Sequence, residues 1–353
     1  MATKASSTHE QPKAPGGGES TGTVLVALGA NAVIAVAKGV AAVITGSASM
    51  AAETAHSVAD TVNEVFLLTA LRSSARPADR EHPLGYGRAR YFWALVAAGS
   101  IFVTGALYSG YEGIEALRSE SHELTSPLVS YIVLAVAFVL EGSSLLKGLR
   151  QTRGEAKEKQ QSFREFLRTS DDPTATTVVF EDSAALIGLL LAAAGTVLHQ
   201  LTGSGVYDGI ASLCIALLLA FIAVRLGRTN MRLLTGVQAD PRLVRSILVQ
   251  LGDEPEIDAV VDLLTVQLGT DQILVCARLD LVDSLTGGEV EQAMVRINRD
   301  IREHFSDVVE VFLEPVPRDH AEVRERVRAR YGEDVAARMV NEAADGLPGA
   351  ESR

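Results

Sequence analysis

The stretch Ser49–Leu71, SMAAETAHSVADTVNEVFLLTAL, decides how the rest of the chain is read. It is long enough to cross a bilayer and predicts a membrane helix, yet it carries His56 and Asp60 one helical turn apart. An ionisable residue in hydrocarbon costs about 2.5–3.5 kcal/mol on insertion scales and is kept there because it faces a partner, a cavity or an ion path. The i, i+4 spacing puts imidazole and carboxylate on one helix face, where both can hold a single divalent cation. The competing reading of a lone histidine, a satisfied packing residue, does not account for the paired carboxylate.

Working outward, the composition fits a chain that is part membrane and part soluble. Of 353 residues, 47% are hydrophobic and 5% aromatic, and the mean hydropathy is +0.19. Six apolar stretches approach the length of a hydrocarbon core: Val24 to Ile44, Ser49 to Leu71, Tyr91 to Leu117, Tyr131 to Leu146, Thr177 to Leu201 and Gly209 to Leu226. The connection after the second contains Arg72, Arg76, Arg80, Arg88 and Arg90, and that after the fourth is rich in Lys and Arg from Lys147 to Arg168. The opposite connections contain one Arg and no Lys. By the positive-inside rule the basic loops and both termini face the cytosol, at the inner membrane if the source is a bacterium.

The domain plan is a disordered arm over 1–22, a six-helix transmembrane domain over 23–234, a cytosolic domain over 235–317 and a charged helical tail over 318–353. The arm lacks the apolar core of a cleavable signal. After Leu234 the periodicity changes. Asp240-Pro241 opens a helix, Ala259–Leu268 and Gln272–Leu281 read as strands, Thr286 to Glu289 fits a capping box opening a second helix, and Val308–Leu313 reads as a third strand. The order α-β-β-α-β predicts a small ferredoxin-like α+β sheet with helices on one face. The helix from Ala321 to Glu342 has little apolar face and reads as solvated. The net charge of -12 is concentrated after residue 239, which excludes a nucleic-acid footprint. Cys214 and Cys276 have no metal-type spacing and read as free thiols.

At 1.5 Å per residue Asp60 lies about 16 Å from Leu71, near the bilayer midplane. The fifth span adds Glu181-Asp182, and Lys38 in the first is the basic residue at comparable depth. Lys38 can pair with one carboxylate, and a dication satisfies the carboxylates that remain.

These residues resemble those of the cation diffusion facilitators, the zinc transporter family, over about Val24 to Pro315. The resemblance rests on Gly46-Ser47, His56-Ser57-Val58-Ala59-Asp60, the loop Arg76-Pro77-Ala78-Asp79-Arg80-Glu81-His82-Pro83-Leu84-Gly85-Tyr86-Gly87-Arg88, Asp208 and the α-β-β-α-β tail. It implies a tetrahedral transport site with two ligands from the second span and two from the fifth. His56, Asp60 and Asp182 match three of these positions. Val178 stands at the fourth, with Glu181 as its substitute and Thr177 as a weaker one. Glu181-Asp182 followed by Ser183 to Gly188 is similar to the zinc-transporter-nine-like branch.

The resemblance implies a homodimeric secondary transporter that exports zinc from the cytosol in exchange for protons. One imidazole with up to three carboxylates is a harder donor set than two of each, which brings manganese, iron and cobalt into range. Asp79 and His82 are a possible second metal site, set against a purely structural loop. The C-terminal domain, with His304 alone between Gln238 and Pro317, is expected to dimerise without zinc. The absence of a G-x-x-x-x-G-K-[ST] motif argues against ATP-driven pumping. Two rivals are an intramembrane aspartyl hydrolase, disfavoured because Asp208 sits at a membrane edge, and a transport-inactive membrane metal sensor or scaffold.

Overall fold

A computed structural model describes residues 21–118, 126–158, 162–163, 166 and 173–332. The expected arm over residues 1–20 and the tail beyond 332 lie outside the described residues.

Six long helices form the membrane part: α1 (Thr21–Thr45), α2 (Ala48–Ser74), α3 (Ala89–Arg118), α4 (Pro127–Glu158), α5 (Pro173–Thr202) and α6 (Val206–Thr235). All except α2 are long and apolar enough by composition to cross a membrane. The exception follows from sequence, since α2 carries Glu53, Asp60 and Glu64, and it compensates by sitting inside the bundle against α1, α3, α5 and α6. Its start is sharply specified. Gly46 takes φ 69°, and the Ser47 side chain then caps the helix by accepting from the Met50 N–H. Within α3 the segment Ile101–Leu107 is π-helical.

The bundle core is rich in alanine, with Ala41, Ala52, Ala59, Ala98, Ala184 and Ala192 buried around Met50, Leu189, Ile215 and Leu219. Small residues let helix backbones approach where lipid gives no hydrophobic drive for helices to associate. Gly113 on α3 shows the limit: an added Cβ would stand 2.9 Å from the Gly209 carbonyl oxygen on α6. Val33, Val36 and Val43 on α1, Val139 on α4 and Leu217 and Phe221 on α6 point outward, an apolar surface suited to lipid.

The C-terminal part contains α7 (Pro241–Gly252), β1 (Ile257–Gly269), β2 (Gln272–Leu281), α8 (Gly287–His304), β3 (Val308–Pro315) and α9 (Ala321–Tyr331). β1 and β2 form an antiparallel hairpin, with Asp271 at φ 55° in its turn, and β3 adds to β2 in parallel after the α8 crossover. The capping box is present, since the Thr286 side chain accepts from the Glu289 N–H and the Glu289 carboxylate accepts from the Thr286 N–H. Ile247, Leu251, Ile297 and Ile301 from α7 and α8 bury against Leu263, Val275 and Leu279 of the sheet.

One expectation needs correction. The helix after Ala321 is not a solvated tail over Ala321–Tyr331, because Val323 and Val327 are buried with Val261 and Val316. Arg330 pairs at 3.0 Å with Asp262, which is 1% exposed, and the Tyr331 hydroxyl donates to the Leu263 carbonyl at 2.8 Å. The sheet therefore carries helices on both faces. The sequence pattern concealed this because two valines four residues apart suffice when the ring of Tyr331 extends the same face.

Candidate metal centre

The α2 helix places His56 in the bundle interior, 3% exposed, with its Nε2 3.4 Å from Asp60 Oδ2. The pairing follows from the i, i+4 spacing. Across from His56 stands Gly188 on α5, where an added Cβ would lie 3.6 Å from His56 Nδ1. Seven residues further along α2, Asn63 donates to both carboxylate oxygens of Glu181, each at 3.1 Å. The two helices thus run antiparallel in register, His56 opposite Gly188 and Asn63 opposite Glu181.

That register decides how the acids relate. Asp182 stands near the level of Asp60, accepts a hydrogen bond from Ser144 on α4, and keeps Oδ2 buried without a hydrogen-bond partner. Glu181 stands with Asn63, about 10 Å along the helix from His56 by helical rise. His56 and Asp60 are brought together. Among the described residues, no three His, Cys, Asp or Glu side chains are drawn close enough to hold a metal ion. The side chains of Thr177 and Val178 lie outside the described ones.

Lys38 does not pair with these acids. Its Nζ lies 2.9 Å from Glu53 Oε2 on α2 and 2.9 Å from Glu141 Oε1 on α4. Among the described residues Asp60, Glu181 and Asp182 are left without a Lys or Arg ion pair. Sequence reasoning passed over Glu53, Asn63 and Glu64. The signal was available for Glu53, which stands at i−3 from His56 on the same face. Glu64 accepts from Asn31 of α1 at 2.7 Å.

At the other end of the bundle Asp208, 2% exposed, accepts from the Ser47 and Ser49 hydroxyls, the former at 3.0 Å, and tethers the α1–α2 turn to α6. This explains a carboxylate at the first turn of α6 without chemistry.

The loop after α2 holds Asp79 and His82, with Nδ1 and Oδ1 3.7 Å apart. Asp79 is already engaged. It accepts from the His82 N–H at 2.7 Å, the Glu81 N–H at 3.0 Å and the Tyr86 hydroxyl at 2.8 Å. The His82 backbone bond, then the Tyr86 hydroxyl, hold its carboxyl below the ordinary carboxylate value. In the C-terminal part His304 lies at the end of α8 against Phe305, and Ala277 is buried in the sheet.

A helical membrane bundle with a histidine and several acids turned inward defines a class, the membrane transporters that pass cations across a bilayer. Residues 24–235 match the cation efflux transmembrane domain, and the chain belongs to the cation efflux family, whose members are transporters and not enzymes. It is 34% identical over 225 residues to the mitochondrial proton-coupled zinc antiporter SLC30A9 of Xenopus laevis, covering 64% of this chain and 40% of that protein. It is 28% identical over 287 residues to metal tolerance protein C4 of Arabidopsis thaliana, covering 81% and 61%. It is 25% identical over 302 residues to the manganese efflux system protein MneP of Bacillus subtilis, covering 83% and 94%. The chain thus spans about two fifths of the length of its SLC30A9 relative.

Proposed function

We propose that this chain is a zinc/proton antiporter that exports zinc from the cytosol by alternating access, with His56, Asp60 and Asp182 as the transport site. The observation that carries this reading is the His56–Asp60 pair at 3.4 Å, buried in a bundle whose one deep lysine is engaged elsewhere. Among the described residues Asp60, Glu181 and Asp182 therefore have no Lys or Arg ion pair. A dication supplies that charge and accepts the mixed N/O donor set. Glu181 completes the set by leaving Asn63 when metal enters. Metal ligation needs these groups deprotonated, so loading expels protons and reprotonation from the far side releases the metal. Rocking of the helices around a site at mid-depth exposes it to each side in turn.

The name of the SLC30A9 relative, a proton-coupled zinc antiporter, supports this reading, and that of MneP, a manganese efflux protein, supports the next. Manganese or iron export is the second reading, favoured by a donor set with one imidazole. The third is a transport-inactive metal sensor or scaffold. Both termini on the cytosolic side and a homodimer held by the C-terminal domain complete the proposal, with Asp79 and His82 as a second metal site set against a purely structural loop. The test is flux of zinc, manganese, iron and cobalt side by side in proteoliposomes with internal pH recorded. Zinc entry with proton counterflow supports the reading. Manganese or iron preference selects the second, and metal binding without flux selects the third.

A further inference from the structure

Glu53 is a fully buried carboxylate on the same face of α2 as His56, one turn earlier. One oxygen, Oε2, accepts from Lys38 Nζ at 2.9 Å. The other, Oε1, has no hydrogen-bond partner and lies 3.9 Å from His56 Nδ1, which is also buried without one. An unsatisfied acceptor and an unsatisfied ring nitrogen face each other inside an otherwise packed bundle, where each orphaned group is costly. Closing the gap to hydrogen-bond length takes about 1 Å of movement. The helix across from them leaves the space: Gly188 has no side chain, and a Cβ there would overlap Glu53 Oε1. Lys38 is in turn held at 2.9 Å by Glu141, so α1 and α4 together fix the carboxylate in place.

We propose that Glu53 is a positioning residue of the transport cycle, accepting the Nδ1–H of His56 and thereby presenting the Nε2 lone pair to the metal beside Asp60. The inference rests on the reading of His56 as a ligand. An imidazole that ligates through Nε2 while neutral carries its proton on Nδ1, and a buried N–H there needs an acceptor. A carboxylate in that place fixes the tautomer and ring orientation and makes Nε2 a stronger donor, the usual arrangement behind a metal-bound histidine. Lys38 holds the far oxygen of Glu53, and Gly188 leaves the carboxylate room beside the ring.

The experiment uses the full chain in proteoliposomes, with zinc as the probe, and separates KM from maximal rate. His56→Ala comes first. If it leaves zinc flux unchanged, the site reading fails and this inference with it. Given that loss of His56 abolishes flux, Glu53→Gln and Glu53→Met are expected to raise the zinc KM, the latter by about 10–100-fold, with a smaller effect on maximal rate. Gly188→Ala, which pushes the carboxylate off the ring, is expected to act in the same direction. Because Lys38 bridges Glu53 and Glu141, the triple variant Lys38→Met, Glu53→Met, Glu141→Met replaces the whole buried group by apolar side chains of similar volume, a change proteins often tolerate. It is expected to recover thermal stability while the zinc KM stays high. A spectroscopic signature accompanies this, an imidazole Nδ1–H proton resonance in the zinc-loaded protein that disappears in both Met variants. A triple variant with wild-type KM would assign Glu53 to packing and overturn the proposal. So would an Nδ1–H resonance unaffected by the loss of Glu53.

Discussion

Gly87, in the loop that follows α2, and Gly269, at the end of β1, meet backbone to backbone. A Cβ built on Gly87 would lie 3.0 Å from Gly269 Cα and 2.7 Å from the Leu268 carbonyl oxygen. Gly236, at the end of α6, stands beside the same junction, its Cβ position 3.5 Å from an Arg88 guanidinium nitrogen. The membrane bundle and the C-terminal sheet are therefore joined twice, through the chain at Gly236 and through the loop at Gly87.

The second joint lies in the loop that connects the helix carrying His56 and Asp60 to α3. Gly87→Val is expected to cost about 1–3 kcal/mol by overpacking against backbone that has nowhere to move. Thermal unfolding and zinc flux should both fall, and Gly269→Val should reproduce the effect. Unchanged melting in both variants would mean that the contact is not made in the membrane-embedded protein.

Removing each proposed ligand tests the proposed centre itself. His56→Ala, Asp60→Asn and Asp182→Asn are each expected to abolish metal flux while the protein still reaches the membrane in normal amount. Near wild-type flux in Asp60→Asn would dismiss the assignment.

Glu181 is held by two hydrogen bonds from Asn63 and stands two turns from His56. If it moves to the metal during transport, Glu181→Gln lowers zinc affinity and proton counterflow together, measured in the same vesicles. Unchanged affinity and unchanged coupling would leave a three-residue site and make Asn63–Glu181 a helix-packing bond.

The C-terminal domain is expected to dimerise in chelator, and its boundary must include α9. A fragment ending at Tyr331 should be the stable form, whereas one ending at Pro317 uncovers Val261 and Val316 and loses the Arg330–Asp262 pair. Burial of Val323 and Val327 is worth roughly 1.5–3 kcal/mol each, so the shorter fragment should unfold at markedly lower urea. Sedimentation with and without zinc reads the oligomer, and a monomer that dimerises on adding zinc would reveal a metal site in this domain.

The capping box of α8 gives a pH signature. The Thr286 backbone N–H holds the Glu289 carboxyl below its ordinary value of 4.5, so its contribution to stability is fully present above that pH. It is lost as pH falls through the lowered folded value. Thr286→Ala is expected to cost about 1 kcal/mol at neutral pH. The difference between Glu289→Gln and the parent should shrink in acid, and a difference constant with pH would remove the charge from the argument.

Much of this was legible in the chain. The His56–Asp60 spacing, the six apolar stretches, the capping box and the strand–strand–helix–strand order are local signals, set by periodicities of 3.6 and 2 and by side chains that hydrogen-bond their own backbone. They fixed the helices, the small sheet and the face of α2 that carries His56 and Asp60. What the tertiary structure decided is non-local. It set the α2–α5 register that puts Gly188 against His56 and Glu181 against Asn63. It sent Lys38 to Glu53 and Glu141 and not to Asp60, Glu181 or Asp182. It also folded α9 onto the open face of the sheet. Each depends on which of several chemically adequate partners packing brings within about 3 Å, and an ion pair or a buried valine carries no mark in sequence of the partner it will meet.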